Sequence, residues 1–168
     1  MNQEAIDRLA LRCLAHLQQE ETLLRETLRI VEATRESLLV RDGELLEANV
    51  RQHQHTVEAA DDLRARREVM RDDIAELLQI SRGSATVSVL AKRATTGHQL
   101  METRERLGKI ARRVRTLHRA NAVLSVQTNY MIAGALQNLL GEQLAETRYA
   151  RTGRTQAIRG SQIIDTDI

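Results

Sequence analysis

Proline, phenylalanine and tryptophan are absent from these 168 residues, and tyrosine occurs only as Tyr130 and Tyr149. A compact α/β enzyme ordinarily uses turn prolines and buries aromatic rings, which supply much apolar area per residue. A chain that lacks them and is built of Leu, Ala, Glu, Gln and Arg has the composition of long helices and coiled coils. The single cysteine, Cys13, excludes an internal disulfide and fits a reducing, cytoplasmic setting. No apolar run opens the sequence, because Glu4, Asp7 and Glu20 interrupt the first 20 residues, and a secretory signal is not expected. The length is that of one domain.

Charge is also missing from one place. Ala120 to Gly141 runs 22 residues without a charged side chain. This is not a membrane span, because Asn121, Gln127, Thr128, Asn129, Gln137 and Asn138 would each be costly in hydrocarbon. Just upstream, Arg104 to Arg119 packs seven basic residues around one acid, Glu105. At a helical spacing of about 100° per residue, Leu117, Leu124, Met131, Ala135 and Leu139 share one seam. Val126, Tyr130, Ala133, Leu136, Leu140 and Leu144 lie roughly opposite, on the side that upstream belongs to Arg104, Arg112, Arg115 and Arg119. One helix thus passes from one apolar face to two, and a second apolar face needs a second partner.

The net charge of +2 conceals a polarity: residues 1–80 hold 11 Arg and 17 acids, whereas residues 81–168 hold 14 basic and 6 acidic residues. Either an acidic pair of helices screens a basic third one, or the basic helix binds nucleic acid. The arginine cluster has no aromatic or glycine interleaving and no nucleic-acid motif, so no nucleic acid is expected as a partner.

Three long helical segments are legible. In the first, from about Gln3 to Val40, Leu17, Leu24, Val31 and Leu38 recur at sevens, flanked by Ile6, Cys13 and Leu28. Asp42-Gly43 is the plausible break, glycine tolerating a left-handed helix end, and the chain there either reverses or continues as a kinked helix. In the second, from about Glu44 to Ile80, Leu46, Val50, His53, Val57 and Ala60 set a seam that Leu63, Met70 and Leu77 continue out of phase, as a stutter would produce. Ser81 to Ser84 reads as a loop, Ala85 to Ala94 as a short helix, and Thr95-Thr96-Gly97 as a weak point. The third long helix then extends to about Glu146, with Leu107, Val114 and Asn121 in one heptad series and Ile110, Leu117, Leu124 and Met131 in the other. Asn121 is a register-setting candidate, since a buried seam Asn sacrifices stability for pairing specificity. The expected fold is all-α, an elongated antiparallel three-helix bundle or coiled coil over residues 1–147, with a flexible tail over 148–168.

Catalysis has no foothold in this pattern. His53 and His55 point roughly 200° apart on a helix and cannot share an ion, and His16, His98 and His118 have no neighbour at ligand spacing. Asp61-Asp62 and Asp72-Asp73 read as surface charges. There is no phosphate loop and no nucleophile elbow, so neither an enzyme nor a metal or cofactor is expected. Tyr149, alone in the polar run Ala150 to Gly153, suits an exposed aromatic anchor for another protein's pocket.

At these residues the chain resembles the FlgN family of flagellar type III export chaperones. The likeness rests on Ser37-Leu38-Leu39-Val40-Arg41-Asp42 leading into an acidic-leucine helix and on Leu117 to Leu124 in the third helix. Leu139-Leu140-Gly141 and Tyr149-Ala150-Arg151-Thr152-Gly153 complete it. The Arg-rich third helix, Gly97 and Gly108 depart from the family pattern. The resemblance implies a cytoplasmic chaperone that holds the terminal helix of hook-associated proteins, prevents premature assembly and delivers them to the export gate. It places client binding on Val126, Tyr130, Ala133, Leu136, Leu140 and Leu144. Tyr149, with Gly153, would engage the cytoplasmic domain of the gate protein FlhA. The alternative is a structural coiled coil that covers its surplus face by self-association.

Overall fold

The computed structural model describes residues 3–149, with side chains described through residue 140. Four α-helices follow in order, α1 Gln3–Val40, α2 Gly43–Leu78, α3 Val87–Ala91 and α4 Gly97–Tyr149, with a 3-10 turn at Arg82–Ser84 within the expected loop. No strand occurs among the described residues, so the chain is all-α. It divides into two compact units, residues 1–125 and 126–168.

In the first unit, cross-helix pairs fix the directions. Arg12 meets Asp73 at 3.0 Å and Arg67 meets Glu20 at 2.6 Å, so α2 runs antiparallel to α1. Arg106 meets Glu21 at 3.1 Å, Arg113 meets Glu32 at 2.6 Å, and the Asn121 amide donates to the Val31 carbonyl at 2.9 Å, so α4 runs parallel to α1. The start of α4 is tied down as well. The Thr95 backbone N–H donates to Asp7 at 2.7 Å, and this bond holds the Asp7 carboxyl below its ordinary value.

The chain reverses between α1 and α2, but the residue that allows it is not Gly43. Arg41 takes the left-handed conformation, with φ 58°, and the Asp42 N–H donates back to the Ser37 carbonyl at 3.0 Å. Asp42 then caps α2 by accepting from the Leu45 N–H at 2.9 Å. The far end of α2 repeats the device: Gln79 has φ 52°, and Ile80 N–H donates to the Ala75 carbonyl at 3.0 Å. A non-glycine residue there costs about 1–2 kcal/mol, while glycine loses more entropy on folding. Gln79→Gly is therefore expected to raise stability by roughly 0.5–1 kcal/mol in urea denaturation.

The apolar core gathers around the first half of α1. Ile6, Leu9, Ala10, Cys13, Leu14 and Leu17 pack with Ile74 and Leu78 of α2, with Ala85 and Leu90 of the connecting segment, and with Leu100 and Leu107 of α4. Burial pushes the Cys13 thiol up to about 11, which keeps it protonated and inert at neutral pH. In α1, Leu17, Val31 and Leu38 are buried and Leu24 half-buried; in α4 the series Leu107, Val114 and Asn121 is buried, whereas Ile110, Leu117 and Leu124 are half-buried and Met131 is exposed.

The second helix differs from its expected seam. Val50 and Val57 are exposed, and Asn49 and Thr56 are buried in their place. Counting back by sevens from Met70 gives Leu63, Thr56 and Asn49, so the phase set at the apolar end of α2 runs through without a stutter. The Thr56 hydroxyl donates to the His53 carbonyl at 2.7 Å, which removes most of the cost of burying it.

Between the apolar core and this polar seam lies a charged layer. Glu20 and Glu21 are buried; Glu20 accepts from Arg67, and Glu21 from Arg106 and, at 2.6 Å, from Arg25. Hydrogen bonding from Arg106 is the main reason the Glu21 carboxyl lies below the ordinary 4.5. A carboxyl depressed on folding contributes its full stability above the unfolded value and loses it as pH falls through the folded value. Stability should therefore decline below about pH 4.5, and Arg106→Ala should flatten that acid limb in pH-dependent thermal melts.

Candidate docking surface on the last helix

The uncharged stretch is helical throughout, as α4 is the longest helix at 53 residues. In the second unit its apolar side chains stand open to solvent. Tyr130 is 76% exposed, Leu140 59%, Leu136 53% and Val126 52%, and Ala133 is exposed too. The Leu144 side chain, the Tyr149 side chain and Gly153 lie outside the described residues, Tyr149 being the last residue of α4. Of the candidate client residues, five thus lie together on one exposed helical segment.

The seam expected to be covered is open as well. Met131, Ile132 and Leu139 are each more than half exposed. On the 100° wheel the apolar residues from Val126 to Leu140 span about 260°, and only Gly134, Gln127 and Asn138 occupy the rest. One packed helix covers a stripe on the order of 100° wide. The segment therefore has room for more than one apolar neighbour, both faces being open where one was expected to be covered.

The arginine cluster upstream divides in two. Arg106 and Arg113 turn to Glu21 and Glu32 of α1, and Lys109 pairs with Glu105 at 2.9 Å, so part of the charge polarity is screened internally. Arg104, Arg112, Arg115 and Arg119 are exposed and make no ion pair among the described residues.

Three of the four acids in the Asp61-Asp62 and Asp72-Asp73 pairs meet arginines: Asp73 pairs with Arg12 of α1, Asp72 with Arg82 at 2.6 Å, and Asp61 with Arg64 of its own helix at 3.2 Å. Among the described residues no group of three or more His, Cys, Asp or Glu side chains could hold a metal ion. No described helix is long and apolar enough to cross a membrane. The sequence reading missed one contact, His53 of α2 against His118 of α4, because 65 residues separate them. Only the paired helices bring them together.

These features define an all-α helical-bundle protein whose last helix presents an open, uncharged apolar surface. The chain belongs to the FlgN family of flagellar export chaperones, whose family model, described as FlgN protein, matches residues 11–157. No curated protein and no solved structure matches the chain.

Proposed function

We propose that this chaperone acts in the cytoplasm by holding the terminal helical segment of a hook-associated protein. It thereby prevents premature assembly and delivers the client to the export gate. One observation carries the reading: an uncharged segment of α4 leaves Val126, Tyr130, Leu136 and Leu140 more than half exposed. A contiguous exposed apolar surface of this kind marks an interaction site, and an amphipathic client helix fits it by laying its apolar face along α4. The width of the apolar arc favours a client that contributes two helical passes, or one helix with a following segment.

Titrating a hook-associated protein's terminal segment into the chain tests this, with saturable binding expected. Absence of binding, together with a concentration-independent dimer in sedimentation, would instead support coverage by a second copy. The gate function is assigned to Tyr149 and Gly153. Tyr149→Ala should leave client binding intact and abolish binding to the cytoplasmic domain of FlhA; equal loss of both would sink the division of labour.

A further inference from the structure

The geometry points to a two-histidine chelate for a late first-row divalent cation, formed by His53 of α2 and His118 of α4. Their Nε2 atoms are 3.1 Å apart, and their ring centroids 4.9 Å apart with planes at 79°. Both distances are those a two-imidazole chelate requires, and a bent N–H···N hydrogen bond would meet them too. In a straight N–H···N bond the rings lie end to end, and centroids sitting about 1.2 Å behind each nitrogen would be roughly 5.5 Å apart. If both lone pairs instead converge on an ion at about 2.05 Å, the nitrogens subtend about 98° at it and the centroids fall about 4.9 Å apart. The observed separation matches the convergent arrangement. An angle near 98° lies between the cis angle of octahedral and the angle of tetrahedral coordination, and paired imidazoles suit nickel, copper and zinc.

Other features agree. His118 is exposed and His53 half-buried, so an ion has access from solvent. No third His, Cys, Asp or Glu side chain among the described residues completes the set, so the remaining positions belong to solvent or to another molecule. The two ligands stand on antiparallel helices at the level where the seam of α2 is polar, with Asn49 and Thr56 buried. A bound ion would tie α2 to α4 where apolar packing is thinnest.

Isothermal titration of the tag-free full chain with nickel chloride, and separately with zinc and copper chloride, tests the site. One ion per chain is expected, with no response to magnesium or calcium. His53→Gln and His118→Gln should each weaken binding at least tenfold, whereas His55→Gln and His98→Gln should bind as wild type. At free nickel 100 times the wild-type Kd the unfolding midpoint should rise by several degrees, and by no more than about half as much in either Gln variant. Copper bound to the wild type should show two imidazole nitrogens by electron paramagnetic resonance. Absence of saturable binding, unchanged binding in the two Gln variants, or a single coordinating nitrogen would each overturn the assignment.

Discussion

Gly97→Ala is expected to lower stability by roughly 3 kcal/mol or more, seen as a large fall in the urea midpoint. Gly97 opens α4 and is buried against the end of α3. A Cβ built there would stand 1.9 Å from the Ala91 carbonyl oxygen, 2.8 Å from its carbon and 3.3 Å from its Cα. These are backbone atoms and cannot swing aside. Relief requires α3 and α4 to part, yet Leu90 and Leu100 on the two helices are fully buried in the shared core. The contrast is Gly108→Ala, where the nearest atom is the flexible Arg112 Nη1 at 3.5 Å. That change should raise stability by about 1 kcal/mol through helix propensity alone. Similar behaviour of the two variants would contradict the packing of α3 on the start of α4.

The second large effect concerns binding rather than folding. In the double variant Leu136→Asp/Leu140→Asp, affinity for a client's terminal segment should fall by more than 100-fold. Burying one leucine side chain contributes about 1.5–3 kcal/mol, and two such losses exceed the roughly 2.7 kcal/mol that a hundredfold change requires. Each carboxylate would also have to be desolvated in the complex. Both leucines are more than half exposed in the chain, so folding stability should move by less than about 1 kcal/mol. A matched pair on the outer side of α2, Val50→Asp/Val57→Asp, should leave client affinity unchanged, although these valines are similarly exposed. Loss of binding in both double variants would point to nonspecific apolar adhesion.

Where apolar residues recur at sevens, the sequence could be read directly. Leu17, Val31 and Leu38 in α1 and Leu107 and Val114 in α4 are buried because a persistent stripe leaves the helix one way to pack. The second helix misled because its seam is partly polar. Hydropathy selects Val50 and Val57, but Ile74 and Leu78 at the other end of α2 fix the rotation and carry Asn49 and Thr56 inward. The reversal was placed one or two residues late, since glycine marks tolerance of a left-handed turn and here Arg41 adopts one without it. The candidate surface was visible as an absence of charge, and the residues the helical phase selected are exposed as far as Leu140. Its second open side was not foreseen: periodicity identifies an apolar seam but does not say whether a partner in the same chain covers it. The His53–His118 pair was beyond local spacing altogether.

The central claim is that residues 126–140 form the surface that a client covers. Hydrogen–deuterium exchange with and without the terminal segment of a hook-associated protein addresses it most directly. Slowed amide exchange concentrated in residues 126–140, together with no change around Val50 and Val57, is the predicted result. Slowing confined to residues 1–125, with 126–140 exchanging as in the free chain, would contradict it.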